Sequence, residues 1–133
     1  MKKIIFAMLV LLTTLLSNSA MAEWVRVHGN DKVTVYADPS TMRNRLYIAR
    51  IMTLFDFKAE NVLSDGNQYM SVMRETEFNC RENLQRMISY SIYSGKMGKG
   101  RVLDNGSDAQ EWKPVSRASI ALDMKNYACE RNQ

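Results

Sequence analysis

Histidine and cysteine are scarce here: 133 residues hold one histidine and two cysteines. Nucleophilic catalysis in its common forms pairs a serine or cysteine with a base, and a transition-metal site wants a cluster of imidazoles and thiolates. The lone imidazole, His28, stands in the cluster His28-Gly29-Asn30-Asp31 and reads as a solvated turn residue. No catalytic triad, no dedicated metal site and no cofactor is expected. Proline is equally sparse, at two residues, and no repeat, low-complexity tract or Pro-rich linker divides the chain. Long apolar runs are confined to the start, where Ile4 to Leu16 falls well short of the about 20 residues that span a bilayer. A stripe of one charge sign is missing too. Acids and bases alternate through Arg74-Glu75-Thr76-Glu77 and Arg81-Glu82, which argues against a nucleic-acid face.

What is present begins with a leader. Lys2 and Lys3, the apolar run, and the small-x-small sequence Ala20-Met21-Ala22 form the pattern of a cleavable secretory signal over residues 1–22. The expectation is one exported domain, residues 23–133, with 111 residues to build one core. Loss of the leader removes two lysines and no acid, leaving 16 basic against 14 acidic residues. No cysteine follows the cleavage site, so the mature protein is expected in the periplasm or medium, with no lipid or other membrane anchor. Cys80 and Cys129 both lie in the exported part, where oxidising conditions favour a structural bridge. The competing reading, a reactive dithiol, would want close spacing or a basic setting.

Periodicity predicts mostly strands. Glu23 to Val27 and Val33 to Ala37 form two, and Asp38-Pro39-Ser40-Thr41 is expected to stop the second and reverse the chain. Leu46 to Phe57 reads as a long central strand, and Ser64-Asp65-Gly66-Asn67 as a hairpin turn. Tyr69 to Cys80 follows, its even positions Met70, Val72, Phe78 and Cys80 facing the core and its odd positions wetter. Arg86 to Tyr93 alternates again, Arg101 to Leu103 is a short strand, Asp104-Asn105-Gly106-Ser107 a turn, and Trp112 to Val115 extended. The period then changes: Ser116 or Ser119 can cap a helix over about residues 117–130, with Leu122 and Cys129 on one face. The fold class is therefore α+β, mainly β: an antiparallel sheet of about six strands with one C-terminal helix on a face, tied to it by a Cys80–Cys129 disulfide.

Three clusters invite a chemical reading. Glu75 and Glu77 project from one side of a strand, the placement that paired carboxylates need for acid–base work, but the solvated polar face of an antiparallel strand is the preferred reading. Gly95 to Gly100 superficially looks like a phosphate loop, but Arg101 stands where Ser or Thr would be needed. A turn explains the glycines, and Lys96, Lys99 and Arg101 could offer an acidic partner a positive patch. The tryptophans Trp24 and Trp112 suit packing as well as protein contacts.

The order of several segments resembles the surface-adhesin protein E-like family of Gram-negative bacteria. The segments are Trp24, VTVYADPSTM at 33–42, FNCRENLQRM at 78–87, SYSIYSGKMGKG at 89–100, Trp112 and the terminal NYAC at 126–129. The resemblance implies a small antiparallel sheet with a disulfide-tied C-terminal helix, a role in binding host extracellular-matrix or serum proteins, and homodimers. Displayed adhesins of that kind carry a lipidated cysteine after the leader, where this chain has Glu23. A non-enzymatic binding protein with a protein partner is the leading expectation. A carrier or sensor holding a small ligand in a cavity between helix and sheet is the alternative. Intact-mass analysis of protein recovered after export is expected to find Glu23 at the N-terminus; retention of residues 1–22 would remove the cleaved-leader reading.

Overall fold

The computed structural model describes residues 23–131. The expected leader lies outside the described residues. Six antiparallel strands follow one another across a sheet in chain order: β1 (Val25–Gly29), β2 (Val33–Arg45), β3 (Ile48–Val62), β4 (Gln68–Asn79), β5 (Leu84–Tyr93) and β6 (Val102–Gly106). A two-residue β7 (Lys113–Pro114) pairs with Leu84 and Gln85, the part of β5 that β6 leaves uncovered. Proline is tolerated there because the strand lies at the sheet's edge. Helix α1 (Ile120–Glu130) then packs back over β1 to β4.

Register sorts the side chains into two faces. Val35, Phe55, Val72 and Ile92 form one cross-strand row, and Ala49 opposite Phe78 continues the same face. Met124 and Ala128 of α1 close onto this face, giving a core with Val33, Ile51 and Val115. Tyr36, Leu54, Met73 and Ser91 form a row on the opposite face. Both faces of β3 bury residues, since Leu54 and Asp56 are as enclosed as Ile51 and Phe55. The odd positions of β4 are likewise not uniformly wet: Ser71 and Asn79 are buried at its two ends.

Cys80 and Cys129 are joined, with Cα atoms 5.7 Å apart, 49 residues apart in sequence. The bridge ties the last turn of α1 to the end of β4. Ser119 is the N-cap, its Oγ accepting the Leu122 N–H at 3.1 Å, so the helix starts at Ile120, later than the expected 117. His28 differs from its expected setting. It lies on β1, half-buried, with Nδ1 2.6 Å from a carboxylate oxygen of Asp123 in the first turn of α1. The helix is therefore linked to the sheet by a polar pair at β1 as well as by the disulfide at the end of β4.

The expected reversal at Asp38-Pro39 does not occur. β2 runs on to Arg45, and a bulge absorbs the proline: between Asp38 and Arg43, opposite Met52 and Arg50, the two strands fall out of register. Asp38 is buried and accepts the backbone N–H and hydroxyl of Ser40, while Thr41 Oγ1 donates to the Asp38 carbonyl and accepts the Met52 N–H. Side chains thus replace the ladder bonds that proline cannot make. The chain reverses instead at Leu46-Tyr47, between the paired Arg45 and Ile48. Asp104-Asn105-Gly106 also proves to be strand, not turn. Gly106 lies directly beneath the Tyr90 ring, where a Cβ would come within 2.6 Å of Tyr90 Cε1.

Replacing both cysteines by serine is expected to lower unfolding free energy by about 4 kcal/mol, the chain-entropy value for a loop of this size. Urea unfolding of the wild type and the double variant measures it; equal midpoints and slopes would show that packing alone holds α1.

Candidate functional site

The three cations expected to form a patch lie on the segment that follows β5. Residues Lys96–Gly98 form a single 3₁₀ turn, with Met97 and Gly98 both at positive φ. The segment folds over the sheet face opposite α1. Asp56 Oδ1 accepts the Met97 N–H at 2.8 Å, and Ser71 Oγ donates to the Gly95 carbonyl while accepting the Gly98 N–H. A Cβ at Gly98 would collide with the tip of Met73. Gly98 is therefore needed for close approach to the sheet, and Gly95 and Gly100 for the tight packing of the loop on itself, with no bound phosphate required to explain them. Lys96 Nζ donates to the Phe57 carbonyl at 3.0 Å and sits 3.5 Å from the Asp56 carboxylate, so its charge is compensated within the fold. Lys99 and Arg101 are exposed.

Glu75 and Glu77 share the face that carries this segment. Arg50 lies between them, with Nε 3.3 Å from Glu75 and 3.8 Å from Glu77, the geometry of an ion pair without a directed hydrogen bond. Arg86 approaches Glu77 Oε1 through two nitrogens, at 2.7 and 2.8 Å. Both carboxylates are matched by arginines on neighbouring strands, the arrangement of a cross-strand ion-pair ladder. Among the described residues no group of three or more histidine, cysteine, aspartate or glutamate side chains is placed to hold a metal ion.

A second surface went unnoticed in the sequence. The β2–β3 turn presents Leu46 at 83% and Tyr47 at 41% exposure, and Leu46 adopts φ 53°. A bulky apolar residue in the left-handed region, turned to solvent, runs against both conformational and solvation preference. Arg81 stacks on the Tyr47 ring at 5.0 Å, and Arg86 on the Trp112 ring at 4.5 Å. Between them lies a shallow depression of about 300 Å³ bounded by Leu46, Tyr47, Glu77, Arg86 and Trp112. An exposed tyrosine beside half-buried tryptophan and arginine is the composition of protein-binding hot spots. Periodicity could not reveal it, because it joins a turn, a strand and a distant loop residue.

Residues 24–130 match the family model described as Surface-adhesin protein E. The chain belongs to that family. The surface-adhesin protein E fold is also found in solved structures. Crystal form II of Haemophilus influenzae protein E is similar with a TM-score of 0.65 at 10% identity, covering 87% of this chain and 94% of that one. Protein E from non-typeable Haemophilus influenzae is similar with a TM-score of 0.59 at 12% identity, covering 86% and 80%. At such identities the likeness is one of fold. Comparison with curated proteins finds no match. Among the described residues of this family member, no helix is long and apolar enough to cross a membrane.

Glu77→Ala is expected to cost about 1–2 kcal/mol, because it strips Arg86 and Arg50 of a partner at a site only partly open to solvent. Chemical denaturation measures it, and a change below about 0.5 kcal/mol would mean that the ladder is an ornament of the surface.

Proposed function

We propose that this protein is an exported, non-enzymatic adhesin-type domain that binds a protein partner through the end of the sheet bearing Leu46, Tyr47 and Trp112. Membership of the surface-adhesin protein E family supports the class of function, with host matrix or serum proteins as the partners. The observation that carries the location is Leu46, a large apolar side chain held both exposed and at positive φ at the tip of a hairpin. Strain of this kind persists where the surroundings enforce it, and a protein contact gives it a use. The arginines on Tyr47 and Trp112 restrict those rings, so less side-chain freedom is lost on docking. Lys99 and Arg101 form a separate cationic spot on the segment after β5 and would steer an acidic partner more than anchor it.

The test is a binding screen of the mature protein against immobilised extracellular-matrix and serum proteins, followed by variants on whichever binds. Tyr47→Ala combined with Trp112→Ala is expected to weaken binding about tenfold or more, whereas Lys99→Glu with Arg101→Glu acts mainly on the association rate and its salt dependence. Leu46→Gly relieves the backbone and is expected to leave stability unchanged or higher while still reducing affinity. Absence of any saturable partner would sink the reading; full affinity in the Tyr47/Trp112 variant would move the site elsewhere.

A further inference from the structure

Helix α1 packs over β1 to β4. Its 11 residues measure about 16 Å, whereas six strands span about 24 Å, so the same sheet face continues past it over β5 and β6. A groove of about 450 Å³ lies there. Its apolar lining includes Val72, Met87, Ile92 and, from α1, Met124. That volume falls in the range of small-molecule sites.

Arg74 stands in this groove, on the core face of β4 between Val72 and Thr76. Its guanidinium carbon lies 4.3 Å from the centre of the Phe55 ring. Stacking occupies one face of the guanidinium and leaves its in-plane N–H donors directed elsewhere. Among the described residues no carboxylate lies within ion-pair distance of it, in contrast to Arg50 and Arg86. Burial pushes its pKa down from the ordinary arginine value, with Tyr69 acting weakly the other way. Arginine remains protonated nevertheless, so a positive charge is held at a half-buried place on the groove wall. The one acidic residue lining the groove, Asp104, is engaged by the Tyr90 hydroxyl at 3.1 Å, and that bond raises the Tyr90 pKa. With Arg74 and Lys113 against Asp104, the lining carries one net positive charge.

We propose that this groove is a binding site for a small amphipathic carboxylate, whose acid group pairs with Arg74 and whose apolar body lies along Val72, Ile92, Met87 and Met124. One net positive charge suits a monoanion, and the planar fork of Arg74, with in-plane donors turned from the Phe55 ring, suits a carboxylate. The apolar strip of Val72, Met87, Ile92 and Met124 gives a hydrocarbon body a surface to cover, while Thr76, Gln85 and Gln110 keep the rest of the groove polar. This site is separate from the Leu46–Trp112 end and stands or falls independently of the adhesive reading.

The test uses the exported, disulfide-bonded protein and two probes of equal length, decanoate and uncharged decanol, titrated below their self-association limits and followed by amide chemical shifts. Decanoate is expected to saturate, shifting Val72, Tyr90 and Met124, with affinity at least about tenfold above decanol. Arg74→Gln is expected to erase that preference while leaving decanol binding in place. Comparison of the two probes on the wild type decides the matter even if the variant fails to fold. Equal affinity for both, no saturation by decanoate, or an unchanged preference in folded Arg74→Gln would overturn the assignment.

Discussion

The attachment of α1 to one face of the sheet organises everything else. Phe78, Ile51 and Val35 would line an open sheet face if nothing covered them; Met124 and Ala128 close over that face, and the Cys80–Cys129 bridge holds the last turn in register. A domain of this size has little apolar surface to spare, so a covalent link that restricts the unfolded chain is a large share of its stability. His28 and Asp123 secure the other end of the helix. Held at both ends, α1 has a fixed position, and that position determines which part of the sheet stays open.

The opposite face is managed differently. The segment after β5 covers Leu54 and Met73 over one half, fastened by Asp56 and Ser71. The other half is left to the arginine and glutamate ladder, which keeps an uncovered face charged and soluble. The buried Asp56 and Ser71 on this face are accounted for by hydrogen bonds to the segment above them. The two faces leave two different openings: a groove beyond α1 that joins an apolar strip to Arg74, and an aromatic end beside the β2–β3 turn.

The strands were legible because alternation is a local property. Val33, Val35 and Ala37, or Phe78 after Met70 and Val72, announce a buried face within a few residues. The errors fall where local rules meet long-range pairing. Asp38-Pro39-Ser40-Thr41 has the composition of a turn, yet β3 runs alongside and the residues form a bulge whose lost ladder bond is replaced by Thr41. Asn105-Gly106 also has turn chemistry, but the glycine serves the Tyr90 ring across the sheet. His28 pairs with a carboxylate 95 residues away, which no spacing rule can detect.

By itself the sequence determined a sheet-rich chain with a terminal helix, two cysteines suited to one bridge, and a family kinship, because periodicity, cysteine usage and motif order are all written along the chain. Tertiary structure alone decided where the surfaces lie. Lys96 is neutralised by Asp56, Arg74 has no ion-paired carboxylate among the described residues, and Tyr47, Arg86 and Trp112 meet at one end. Each of these facts depends on which strands are neighbours and how far the helix reaches, and charge balance and exposure are properties of that three-dimensional arrangement.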